Sequence, residues 1–256
     1  MPSFSRFRRL ANFRMTIPPL RRLFFGMMIF AFTSGLARAE RPLLDWSEQT
    51  VDEPPALLSD TAWMIFLQNG PAAKIVGTKS DLTNPLPDSP LALAIPMGIE
   101  SANVVLHLYP FIHQEPPKKG WVEIDLALIE NGMIIIDLGT SSSGSGPAPA
   151  YDGTILYHLY FRGDKTTLVS PEAGGGGGEN FEISPPLMSG EPHKIRIAWD
   201  FGGEKPAITP LLDGEPFLRK SEPVVLGVDP ARTVQGIDFV RISVYSGYLG
   251  KVIASE

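Results

Sequence analysis

The stretch Gly120 to Gly132, "GWVEIDLALIENG", places Trp121, Glu123 and Asp125 at every second position of an otherwise apolar run. On a β-strand alternate side chains share one face, so an indole and two carboxylates would stand in line. Three readings are open to such a set. A carboxyl pair about 5–5.5 Å apart can cleave a glycosidic bond with retention, one member as nucleophile and the other as proton donor. Carboxylates can instead accept hydrogen bonds from sugar hydroxyls while an aromatic ring covers the apolar C–H face of a pyranose. The third option is no chemistry at all: the wet face of an amphipathic strand. Ala127 continues the same face, and its small side chain would leave room for a ligand.

A second set of candidates follows. In Thr154 to Phe161, "TILYHLYF", both faces are largely apolar, which suits a central strand. His158 and Tyr160 share one of those faces and are placed to line a concave groove. Asp137 and Asp152 flank the Ser/Gly-rich segment 141–150 and are the pair best placed for a Ca²⁺ ion, which takes several oxygens converging from loops. The four histidines, His107, His113, His158 and His193, show no metal-ligand spacing. The run Gly174 to Gly178 lacks the Gly-Lys-Ser/Thr of a phosphate-cradling loop and reads as a flexible connection.

Composition narrows the partners. Residues 1–39 hold seven arginines and no acid, most of them ahead of the apolar run Leu23 to Ala37, and "ARA" closes the segment at Ala39. A basic region, a short apolar core and small residues at −3 and −1 are the parts of a secretory signal peptide. Met15 would give that signal a more ordinary length. Residues 40–256 then form the mature chain, exported to the periplasm, cell surface or medium. The run Leu23 to Ala37 is too short for a comfortable bilayer span, and no other candidate span follows it. Of 22 Lys and Arg, seven fall in the leader, whereas all 28 acids follow it. The mature surface is therefore strongly acidic and unsuited to nucleic acid, whose phosphates need clustered cations. It is compatible with a neutral glycan, with Ca²⁺ or with a surface protein as partner. There is no cysteine, which removes disulfides, thiolate zinc sites and thiol nucleophiles, and fits bacterial export.

The elements that must position these residues are strands. Apolar runs recur at 62–67, 91–95, 104–109, 122–129, 133–138, 154–161, 193–199, 207–212 and 236–245, separated by Gly, Pro, Ser and Asp. Val122, Ile124, Leu126 and Leu128 oppose Glu123 and Asp125; Ile195, Ile197 and Trp199 oppose Lys194 and Arg196. One apolar and one wet face per strand marks an antiparallel sheet. Asp213-Gly214 between two runs predicts a tight hairpin. The expectation is an all-β chain: a two-sheet antiparallel β-sandwich.

The segment Gly190 to Phe217, "GEPHKIRIAWDFGGEKPAITPLLDGEPF", resembles the laminin-G-like, concanavalin A-like jelly-roll family. The resemblance rests on His193, Ile195, Ile197, Trp199 and Asp200, then on Leu212, Asp213 and Gly214. It covers residues 90–256, and 40–90 loosely. The closing "IDFVRISVYSGYLGKV" is similar to the last strand of such domains, which returns beside the first. Glucanases of the laminarinase and lichenase type share this fold, and their motif is Glu-x-Asp-x-Glu, sometimes with one extra residue before the last Glu. Glu123 and Asp125 match its first two places, but Ala127 and Leu128 stand where the proton donor should be. The resemblance thus implies a non-catalytic module binding carbohydrate on a concave sheet face through Trp121, Glu123, Asp125, His158 and Tyr160, with no cofactor required. A structural or protein-binding surface module is the alternative, and an atypical retaining glycosidase the next.

Overall fold

The computed structural model describes residues 40–56, 62–66, 73–80, 82–96, 104–108, 117–140, 154–171, 179–230, 237 and 239–255. The chain separates into two units, Met1–Arg38 and Ala39–Glu256, and every described residue lies in the second. Residues 1–39, Asp152 and the two low-complexity segments lie outside the described residues. Among those described there is no helix, and hence none able to cross a membrane.

In chain order the strands are β1 (Glu40–Leu44), β2 (Ala62–Phe66), β3 (Lys74–Val76), β4 (Ala92–Ile95), β5 (Val104–Leu108) and β6 (Lys119–Leu128). Then come β7 (Met133–Thr140), β8 (Thr154–Arg162), β9 (Thr167–Pro171), β10 (Phe181–Ile183), β11 (Pro192–Asp200) and β12 (Ala207–Leu212). The last six are β13 (Glu215–Pro216), β14 (Leu218–Arg219), β15 (Glu222–Pro223), β16 (Leu226–Gly227), β17 (Phe239–Val244) and β18 (Gly247–Ser255). A nine-stranded sheet runs β13-β12-β11-β6-β18-β4-β3, with β1 beside β18 and β16 beside β12. A seven-stranded sheet runs β10-β9-β8-β7-β17-β5-β2. All pairings are antiparallel, and the fold is a two-sheet jelly-roll sandwich.

The central connections cross between sheets. β4 leads to β5 and β6 to β7, while the final pair, β17 and β18, inserts between those partners in both sheets at once. The chain's last strands therefore close the middle of the molecule. The closing segment read from the sequence as one strand is two: residues 245–246 carry the chain from one sheet to the other. Part of the expectation holds, because β18 lies beside β1. The Asp213-Gly214 hairpin forms as expected, with Leu212 opposite Glu215 and both turn residues at positive φ, 51° and 88°. That pair of left-handed residues matches the twist of the flanking strands, and Gly214 adopts it without a Cβ penalty.

The core lies between the sheets and is filled by the alternate residues that the sequence pattern picks out. Val122, Ile124, Leu126 and Leu128 of β6 meet Ile134, Ile136 and Leu138 of β7, with Ile195, Ile197 and Trp199 of β11 and Val240, Ile242 and Val244 of β17. Trp46, just past β1, is 1% exposed and donates its indole N–H to the carbonyls of Leu249 and Gly250, fixing the N-terminal segment to β18.

Candidate functional site

The candidate residues do not converge on one surface. β6 belongs to the nine-stranded sheet and β8 to the seven-stranded one, and in both strands the candidates point away from the core. Trp121, Glu123 and Asp125 thus occupy one outer face of the sandwich. His158 and Tyr160 occupy the opposite one.

On the first face Glu123 is already paired with a cation, and Asp125 is tied to a neutral hydroxyl through one oxygen. Arg196, paired in register with Glu123, holds its Oε2 through Nε at 2.8 Å and Nη2 at 2.6 Å. The same guanidinium lies over the Trp121 ring, 4.5 Å from its centroid. One face of the indole is therefore covered by a cation–π contact. Asp125 is 4% exposed and accepts from Ser89 Oγ at 2.8 Å, while Ser89 Oγ accepts from the Lys251 backbone N–H at 2.9 Å. The hydroxyl proton is thereby directed at the carboxylate. Ala127 opens no space for a ligand, contrary to the sequence expectation. Its methyl packs with Val76, Leu86, Ala92 and Ala94 in a small apolar cluster. The reason is the segment 84–89, which folds over the sheet and is braced by Asn84 Nδ2 on the Ser89 carbonyl and by Leu86 N–H on Asn84 Oδ1. The small side chain admits Leu86 rather than a sugar.

Burial is the main influence on Asp125 and raises its pKa; the Ser89 hydrogen bond, Lys251 and Lys194 oppose it, and Glu123 adds to it. A carboxylate raised in the folded state contributes stability that is complete below its unfolded value of about 3.8 and is lost as pH rises through the folded value. The stability of Asp125→Asn relative to wild type is therefore expected to increase as pH rises from 3.8 through that window. Urea titrations of both proteins between pH 3 and pH 7 check this. A difference independent of pH would show that Asp125 is not strained.

The second face carries a row of polar side chains one residue deep across five adjacent strands. Strand pairing sets Ser170 of β9 against His158 of β8, His158 against Asp137 of β7, Asp137 against Arg241 of β17, and Arg241 against His107 of β5. Asp137 is the hub. Only 1% exposed, it accepts from His158 Nδ1 on Oδ1 and from Arg241 Nε on Oδ2. As a Ca²⁺ ligand it is ill placed, because both its oxygens face side-chain donors of neighbouring strands. Among the described residues no group of three or more His, Asp and Glu side chains converges to hold a metal ion.

Around this hub the row is structured. Ser170 Oγ donates to Asn180 Oδ1 at 2.9 Å. The rings of Tyr160 and His158 lie 5.9 Å apart and tilted by 47°. His107 is 6% exposed, and burial first, then the Arg241 charge, lowers its pKa. Ser243 adds a buried hydroxyl next to Arg241 on the same outer face. His158 and Tyr160 were legible as candidates; Arg241 and His107 were not placed beside them. The one available signal was Asp137, a lone acid in the apolar strand "MIIIDLG".

No protein-family model and no curated protein matches the chain. Solved structures similar to it include the carbohydrate recognition domain of Emp47p, at 10% identity and TM-score 0.48 over 84% of this chain and 94% of that one. An alginate lyase of Pseudomonas aeruginosa is similar at 17% identity and TM-score 0.41, over 77% and 96% respectively. A galectin of Caenorhabditis elegans is similar at 11% identity and TM-score 0.40, over 59% of this chain and 89% of that one.

Proposed function

We propose that the chain is an exported, non-catalytic binding module whose ligand is a glycan, held on the outer face of the seven-stranded sheet around His158, Tyr160 and Arg241. One observation supports this above the others: the polar row from Ser170 to His107. Taking histidine, aspartate and arginine side chains out of water costs free energy that burial of apolar residues would not. A sheet face with only a packing role would not need them. Held by Asp137, the imidazole and guanidinium are fixed in orientation before a ligand arrives, so the Arg241 guanidinium meets hydroxyls at little further entropic cost. Tyr160, half-buried beside His158, supplies the aromatic surface that a pyranose C–H face packs on. On the first face Arg196 neutralises Glu123 and covers one side of the Trp121 ring, and Asp125 is 4% exposed, which disfavours the three as the main contacts of a glycan.

Retention on a panel of immobilised polysaccharides tests the reading, with Tyr160→Ala and Trp121→Ala beside the wild-type protein. Tyr160→Ala is expected to weaken binding about tenfold, the scale of a lost aromatic platform. Trp121→Ala is expected to bind as wild type, and Ca²⁺ or a chelator to make no difference. Retention lost in Trp121→Ala alone would move the site to the other face. No retention on any glycan would favour a structural or protein-binding surface module.

A further inference from the structure

A separate pocket lies on the outer face of the nine-stranded sheet, where residues 86–88 close over β6 and β11. Its volume is about 210 Å³. Leu86, Pro87 and Pro192 give it apolar walls, and three carboxylates, Asp88, Asp125 and Asp213, reach its lining. We propose that this pocket binds an organic ammonium group, with Asp125 as the principal acceptor and the Leu86, Pro87 and Pro192 walls around the aliphatic stem.

The acceptor is distinguished from its neighbours by what it lacks. Each of the other two carboxylates has a cationic or imidazole partner: Lys194 Nζ stands 2.7 Å from Asp88 Oδ2, and His193 Nδ1 stands 2.9 Å from Asp213 Oδ2. The second ring nitrogen of His193 is also used, accepting the Met188 N–H at 3.2 Å. Asp213 is further tied to the Lys194 N–H at 2.8 Å. Asp125 is the most buried of the three, yet among the described residues its hydrogen bond is a single one, from a neutral hydroxyl to Oδ2. Lys194 pairs with it in register but turns its ammonium to Asp88, and Lys251 reaches the site through its backbone N–H on Ser89. A carboxylate this deep is normally satisfied by a cation or by several donors. The pocket leaves Asp125 Oδ1 to whatever enters.

The walls select among entrants. An inorganic cation would want more converging oxygens than Asp125 offers, since no metal-holding group of three exists among the described residues. An anion would face three carboxylates against one ammonium, that of Lys194, which is already paired with Asp88. A primary ammonium has three donors for Asp125 and the rim, and its carbon stem suits the leucine and proline walls. Such a group can arrive as a small free amine or as a lysine side chain of a protein partner.

Thermal unfolding of the intact protein decides, with n-butylammonium chloride as probe and n-butanol and tetramethylammonium chloride as controls at equal concentration. Binding to the folded state alone raises Tm with ligand concentration. The expected result is a saturable rise with butylammonium, little with either control, and none in Asp125→Asn, an isosteric variant expected to unfold no lower than wild type. A rise of equal size with N-acetyl-lysine amide would point to a lysine side chain as the natural occupant; a rise with butylammonium alone would point to a small amine. A response no larger than that to tetramethylammonium, or one that survives in Asp125→Asn, would overturn the proposal.

Discussion

Replacing Asp137 by alanine is expected to destabilise the fold by about 3 kcal/mol and to abolish glycan retention. Removing one member of a buried ion pair typically costs 3–5 kcal/mol, because the partner charge is left without compensation. The lower end applies here, since the Arg241 side chain keeps 22% of its exposure and water can reach part of it. For a domain of this length such a loss corresponds to a fall in Tm of roughly 10 °C. The double variant Asp137→Leu with Arg241→Met separates the two roles of the row. Apolar replacement of both members of a buried pair is often neutral or better for stability. The double variant should therefore recover most of the lost Tm, yet still fail to retain a glycan. Urea unfolding and the same polysaccharide panel read both outcomes. A single variant within 1 kcal/mol of wild type would mean that Asp137 is not the hub. Retained binding in the double variant would remove the row from the site.

The faces of this molecule were legible where a single strand carries its own contrast. In β6 and β11 the alternation of Val122, Ile124 and Leu126 with Glu123 and Asp125, and of Ile195 and Ile197 with Lys194 and Arg196, states which side is buried. Period two is a property of the strand itself, so it needs no knowledge of neighbours. Register is different. Nothing in "TILYHLYF" says that His158 will stand beside Asp137, or Asp137 beside Arg241, which lies 104 positions away in the chain. A one-residue slip would send each side chain to the other face, and the sequence fixes that choice only through the whole sheet. The polar row was visible as scattered residues and invisible as a site.

Two other misreadings have local causes. The closing segment reads as one continuous strand because Val244, Tyr245 and Tyr248 bridge its break with β-prone side chains; only Ser246-Gly247 hints at the passage between sheets. Ala127 reads as vacancy because a small residue signals room, whereas the sequence is silent about what fills it. Leu86 fills it from a segment 41 positions earlier, stabilised by its own Asn84 and Ser89 contacts. Small side chains in sheets mark close approach, and the approaching group here belongs to the protein itself.

The other large effect is expected at Trp199, where the family-like strand "HKIRIAWD" meets Gly120 at the head of β6. Trp199→Ala should cost about 3–5 kcal/mol, the range for deleting a buried aromatic side chain. The site gives two reasons to expect no lighter loss. The indole is 3% exposed and donates its N–H to the Pro117 carbonyl at 2.9 Å, so the truncation also leaves that acceptor without its partner. Gly120 pairs opposite Trp199, and a Cβ there would lie 2.6 Å from the ring, which shows how closely indole and backbone are fitted. Collapse into the vacated space is hindered, because β6 is held on both sides, by β11 and by β18. Gly120→Val should be harmful for the complementary reason: its side chain would meet both the indole and Ser255 Oγ, the latter 2.8 Å from the Cβ position. The discriminating measurement is the pair of variants together in urea. If Trp199→Ala relieves the clash of Gly120→Val, the double variant will lose less than the sum of the two, by the coupling expected of residues in contact. Additive losses would show that the two positions do not share a packing site.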